Sequence, residues 1–224
     1  GASPHHRQLE AGGLAANVKP MRRREPREAT TGGAAAGSSP LERGRDCYAR
    51  RAWLEAWEAL SQADRQAALD ADDLERLATA AYLLGRDDEY LQTLERAHAS
   101  FLAGGQTCRA VRCAFWLGLR LSFRGEAGRS TAWLARARRL LEREPSGCVE
   151  HGYLMLAVVD HHVAAGDLEA AHAAAAAAAE IGERFGDAEL SASARQLQGR
   201  VLIEQGEVAR GLACLDEALL AVAS

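Results

Sequence analysis

The side chains best suited to hold an ion or move a proton gather in one stretch, Glu150-His151 followed by Asp160-His161-His162. Imidazoles and carboxylates are common metal ligands, but binding needs several of them converging on one point. On a helix, His151 and His162 lie about three turns apart, so they share a face but not one ion. Asp160 and His161 point to different sides, so the expected role is solvated or capping histidines, with no metal site. Cys47, Cys108, Cys113, Cys148 and Cys214 are scattered, odd in number and without a CxxC pair. That usage suits small, reduced core residues of a cytoplasmic protein. Lys19, the only lysine, is followed by Pro20, so no Walker A loop exists to bind a nucleotide. GxGxxG, HExxH, GxSxG and EF-hand patterns are also missing. The sequence therefore predicts no catalytic residue, no cofactor and no enzyme. Trp53, Trp57, Trp116 and Trp133 are expected to pack between helices.

The elements that carry these residues follow a repeat. A phrase of Gly, one or two charged residues, then Ala-rich sequence to Leu and Ala starts at Gly85, Gly125, Gly166 and Gly206, with a degenerate copy at Ala52. The spacings are 33, 40, 41 and 40 residues. A period in this range belongs to stacked helix pairs. Ala, Leu, Arg and Glu dominate and all favour helix, while β-branched runs are no longer than pairs such as Val158-Val159. The spacing predicts paired helices near 41–50 and 53–68, 72–84 and 87–102, 106–124 and 127–143, 148–165 and 168–184, and 187–205 and 208–222. The four glycines should make the tight turn within a pair. Longer connections are expected at Gly104-Gly105, Glu144-Pro145-Ser146-Gly147 and Phe185-Gly186-Asp187, with Pro145 a firm stop. Gly118 and Gly199 fall where a small residue lets the next helix approach.

Charge separates the two parts of the chain. The net charge is −4. Residues 1–40 are rich in Gly, Ala, Ser, Pro and Arg, have no periodicity, and are expected to be a disordered, solvated tail. Arg7, Lys19, Arg22, Arg23, Arg24 and Arg27 against Glu10, Glu25 and Glu28 give that tail +3, which leaves −7 on residues 41–224. An acidic helical body is a poor nucleic-acid surface, so no direct nucleic-acid binding is expected. Apolar runs are too short to span a membrane, and the N-terminus has no apolar signal segment.

The phrases resemble the tetratricopeptide repeat. Gly118, Leu121, Gly125, Leu134 and Ala137 match its pattern, as do Gly199, Leu202, Gly206, Leu215 and Ala218; Tyr90, His162 and Ala175 depart from it. Residues 41–224 also resemble the helical-repeat region of LuxR-type bacterial regulators similar to the maltotriose-responsive activators. The phrases at Asp73–Asp88, Arg112–Leu119 and Glu180–Asp187 carry that likeness. The resemblance implies an all-α, right-handed superhelix of antiparallel helix pairs, four to five repeats long, that binds a protein or peptide partner without catalysis. Alternatives are a small, sugar-like effector site or a free-standing adaptor. The apolar run Leu219–Val222 has no polar cap, so the stack is expected to continue beyond residue 224 or to pair end to end as a homo-oligomer. Transferring the repeat register places the partner-binding groove at Glu75, Thr79, Tyr82, Arg112, Phe115, Leu119, Phe123, Tyr153, Asp160, Gln196 and Arg200, with Leu156 and Ile203 beside them. Part of this set would alternatively be buried between repeats. Arg112 or Arg200, if free, would suit a carboxylate through the planar guanidinium fork.

Overall fold

A computed structural model describes residues 38–144 and 147–223. Among them the chain forms ten α-helices and no strand. They are α1 (Pro40–Ala49), α2 (Trp53–Gln66), α3 (Ala71–Leu83), α4 (Asp87–Ala103), α5 (Thr107–Phe123), α6 (Ala127–Leu141), α7 (Glu150–Ala165), α8 (Leu168–Phe185), α9 (Ala188–Glu204) and α10 (Val208–Ala223). Consecutive helices pair, and the pairs stack as a tetratricopeptide-like solenoid. The tail expected over 1–40 lies outside the described residues as far as position 37. Beyond it, Ser39 caps α1 and Pro40 opens it. The Ser39 hydroxyl accepts from the Glu42 amide at 3.2 Å, and the Glu42 carboxylate accepts from the Ser39 amide at 2.8 Å. This reciprocal cap, with proline in the first turn, gives α1 a sharp start.

The turn glycines do what the repeat phrase requires. Gly85 and Gly125 adopt left-handed φ values of 72° and 76°. That lets the Arg86 amide donate to Ala81 O and the Glu126 amide to Leu121 O, both at 2.9 Å. These bonds satisfy carbonyls at the helix end that would otherwise lack a partner. The degenerate first copy keeps the turn without the glycine. The Ala52 amide donates to Cys47 O at 2.9 Å, and Arg51 takes the left-handed position at φ 58°. A side chain there costs about 1–2 kcal/mol.

Two of the connections between pairs are closed as tightly as the turns within pairs. Gln106 N donates to Phe101 O, and Asp187 N to Gly182 O, at 2.9 Å each. The joins after α4 and α8 are therefore closed in the same way as the turns inside pairs. The connection at 142–149 is longer, because α6 stops at Leu141 and α7 starts at Glu150. Pro145 and Ser146 in that connection lie outside the described residues.

First helices of neighbouring pairs bring their backbones close, α1 with α3, α5 with α7 and α7 with α9, while second helices meet only through side chains, as Arg96 does with Asp64. The stack therefore curves with its first helices on the inside. Between α3 and α5 side chains complete the contact instead. The N-terminal core is built from Leu60, Leu77, Leu94, Phe101, Leu117 and Leu121, all buried. The C-terminal pairs close on Ala171, Ala175, Ala178 and Gly182 against Leu190 and Leu197. At α9–α10 the helices approach through glycines. A Cβ on Gly199 would sit 2.8 Å from Gly211 O, and one on Gly211 would sit 2.6 Å from Gly199 O. The outer side of α10 leaves Val208, Leu212 and Leu219 exposed. Among the described residues no helix is long and apolar enough to cross a membrane.

Candidate functional site

The inner surface is organised around α5, where Arg109 and Arg112 are one turn apart. Arg112 reaches forward along the stack. Its Nη2 is 3.0 Å from Glu150 Oε1 and 3.3 Å from Asp187 Oδ2. Its guanidinium lies 4.9 Å from the centre of the Tyr153 ring. The Tyr153 hydroxyl is 3.1 Å from Asp187 Oδ1 and 3.2 Å from Glu189 Oε2. Asp187 also caps α9 by accepting from the Leu190 amide at 3.0 Å. One cluster thus ties α5, α7 and α9 together. Arg109 reaches backward, with its fork on Asp72 and Glu75 of α3 and its plane 4.1 Å from the Phe101 ring centre.

The electrostatics of this surface are set by crowding. Burial pushes the Glu189 carboxyl above its ordinary value; the Tyr153 hydrogen bond opposes this and the neighbouring Asp187 adds to it. A protonated Glu189 can donate to the Tyr153 oxygen while Tyr153 donates to Asp187, so one proton need not serve two acceptors. Burial, reinforced by Glu75, pushes the Cys113 thiol up to about 12. Burial works against the Arg112 charge, but Tyr153, Glu150 and Asp187 outweigh it and hold the guanidinium ionised. Besides Glu189, four carboxylates (Asp72, Glu75, Glu150 and Asp187) stand here against two guanidiniums. The excess negative charge favours a cationic visitor over an anionic one.

The residues assigned to the groove by repeat register divide into two groups. Phe115 and Tyr153 are 1% and 0% exposed, with rings 5.4 Å apart, so they are core and present no surface. Leu156 is buried with them. Three inner helices, α5, α7 and α9, converge here. Tyr82 and Phe123 are exposed at the ends of α3 and α5, and Glu75, Thr79, Leu119, Asp160 and Gln196 are partly exposed. The Thr79 hydroxyl donates to Glu75 O at 2.9 Å within its own helix. Arg112 is held as described, and Arg200 is paired with Asp160 at 2.7 Å. Neither fork is free to take a carboxylate, in contrast to what their residue type suggests.

Sequence reasoning missed Arg109, Asp187 and Glu189, and it singled out Glu150 only as a candidate ion ligand. Asp187 carried a signal, since an Asp after a turn glycine at a helix start is a capping position. Trp57 packs under Arg86 at 3.8 Å, and Trp133 stands edge-on to His98 at 5.1 Å, as packing residues would. Between α6 and α7 a cavity of about 230 Å³ is lined mainly by Leu141, Leu154, Met155 and Val158, with Arg138 and His151 at its rim.

No family model matches the chain, and no curated protein matches it. Several solved structures share the fold. The apo form of the quorum sensor NprR from B. thuringiensis is 13% identical with a TM-score of 0.61, covering 81% of this chain and 52% of that one. The apo form of RapI is 13% identical with a TM-score of 0.58, over 81% and 52%. BtubC from P. vanneervenii is 17% identical with a TM-score of 0.52, over 80% and 77%. This chain spans about half the length of the first two. At these identities the likeness is one of fold, a tetratricopeptide-like helical solenoid.

Proposed function

We propose that the chain is a non-enzymatic docking scaffold whose inner surface binds a basic peptide or a basic segment of another protein. The observation that carries this reading is the excess of carboxylates around Arg109 and Arg112, where Asp72, Glu75, Glu150 and Asp187 stand against two guanidiniums. Exposed Tyr82 and Phe123 at the edge of that surface add aromatic contact area of the kind that anchors protein interfaces. The α6–α7 cavity of about 230 Å³ is smaller than the roughly 300 Å³ at which ligand pockets begin, so that cavity does not favour a sugar-like effector. Titration of the chain with Arg/Lys-rich and Asp/Glu-rich peptides at two salt concentrations tests it. Basic peptides should bind, more weakly at high salt, and Asp72→Asn with Glu75→Gln should weaken them several-fold. Preference for acidic peptides, or affinity unchanged in the double variant, would overturn the reading.

The finer proposal is that this scaffold is the docking segment of a LuxR-type bacterial regulator acting in the cytoplasm. Its support is the phrases at Asp73–Asp88, Arg112–Leu119 and Glu180–Asp187. The natural reading frame tests it. An in-frame helix-turn-helix supports a regulator, and a stop codon directly after residue 224 supports a free-standing adaptor.

A further inference from the structure

Cys108 stands in the first turn of α5, Cys148 just before α7, and Glu150 opens α7. The two sulfurs and a carboxylate oxygen of Glu150 all lie within 4.8 Å of one another. Close by, His151 Nδ1 is 3.8 Å from Cys148 Sγ and 3.3 Å from Cys148 O. We propose that these residues form a zinc site, with Cys108, Cys148 and Glu150 as ligands and His151 closing the fourth position by turning from the Cys148 carbonyl. Tetrahedral zinc has Zn–S distances of about 2.3 Å, which place neighbouring ligand atoms roughly 3.5–4 Å apart. The three donors therefore need to close by about 1 Å or less.

The donor set selects the metal. Thiolate and imidazole favour zinc over the hard cations calcium and magnesium. Two thiolates, one carboxylate and a divalent ion sum to one negative charge. Arg112, 3.0 Å from Glu150 Oε1, offsets that charge and fixes the carboxylate's orientation, as outer-shell partners of metal ligands do. Binding expels the thiol protons to solvent, so affinity should fall as pH falls. Among the described residues no other group of three such donors comes together. The ion would tie α5 to α7 across the 142–149 connection, beside the Arg112 cluster of the docking surface.

Cobalt and zinc titration of the full chain, stripped of metal and reduced with a phosphine, decides the matter. One Co²⁺ per chain should bind, with thiolate-to-cobalt charge-transfer absorption and the intense visible bands of a tetrahedral ion, and Zn²⁺ should displace it. Cys108→Ser and Cys148→Ser should each weaken binding by more than the roughly tenfold cost of losing an outer-shell partner. Cys47→Ser and Cys214→Ser should leave it unchanged. On the unaltered chain, zinc should shield Cys108 and Cys148 from alkylation and leave Cys214 reactive, a readout that does not depend on the variants folding. Absence of the charge-transfer band, its survival in the Cys108→Ser/Cys148→Ser double variant, or alkylation indifferent to zinc would each overturn the proposal.

Discussion

The first three helix pairs and the last two hold neighbouring helices in register with opposite materials. From α1 to α6 the gaps are wide and filled by bulk. Phe101, Leu60, Leu117 and Leu121 are buried, and Trp57, Trp116 and Trp133 pack against them. Arginines then stitch repeat to repeat, Arg45 to Asp73, Arg96 to Asp64, Arg120 to Asp87 and Arg129 to Glu95. From α8 to α10 glycines bring backbones together, although Gly152 of α7 still meets the Leu190 and Ile181 side chains. A Cβ on Gly182 would meet the Ser191 amide nitrogen at 2.8 Å, and Gly199 and Gly211 each face the other's carbonyl. The N-terminal glycines at equivalent approaches meet side chains instead, Gly44 against Leu60 and Gly118 against Leu134. One repeat phrase thus supports two packing regimes, because glycine allows close approach and leucine fills space when the helices stand apart.

The largest expected effect attacks the bulk-filled half. Phe101→Ala should cost about 4 kcal/mol, with faster hydrogen exchange confined to α4, α5 and their neighbours. A cost below roughly 1 kcal/mol would erase the contrast. Next comes the close-packed half. Gly211→Ala gains about 1 kcal/mol of helix propensity but drives a methyl into a carbonyl and the Ile203 backbone, so a net loss of about 2 kcal/mol is expected in chemical denaturation. Gly118→Ala meets the Leu134 side chain, which can shift, and should stay within about 1 kcal/mol of neutral. Equal losses for the two alanines would break the distinction.

Acid and alkali should separate the halves more gently. His98 is 1% exposed, places Nδ1 2.8 Å from Ala110 O, and is held below its ordinary value mainly by burial. The unfolded chain then binds the extra proton, so the N-terminal half loses stability as pH falls below 6.5. Glu189 is shifted upward, so the folded chain keeps its proton longer and stability declines as pH rises above 4.5 towards the folded value. His98→Leu should flatten the first slope and Glu189→Gln the second, in melting temperatures measured across pH. The smallest effect belongs to the turn that lost its glycine. Arg51→Gly should raise stability by up to about 1 kcal/mol, the strain of a side chain at left-handed φ; a loss there would mean that the side chain contributes more than the strain it carries.

Much of the fold was legible because helix pairs are local structures. The phrase starting at Gly125 specifies its own turn, and the helix limits fall within a few residues of those read from spacing. What was not legible depends on how repeats sit against each other. Burial of part of the groove set between repeats was an open alternative, but that Phe115 and Tyr153 are the buried part depends on contacts across repeats. Cys108 and Cys148 meet across forty positions of sequence, at a join where α7 starts two residues later than expected. The tight turns after α4 and α8 were missed for a simpler reason. Gly105 and Gly186 close them at φ 71° and 66°, but they stand outside the repeating phrase.

The curvature of the stack also dictates an order of assembly. Most helix contacts join elements adjacent along the chain, so each helix can settle on the one before it as synthesis proceeds, with little loop closure at any step. The pairing of Arg112 with Asp187 is different, since it spans 75 positions. It cannot form until α9 has emerged and docked, five helices after α4 is complete. That ion pair is therefore a late clasp, whose closure marks the moment when a growing row of hairpins becomes a finished inner surface.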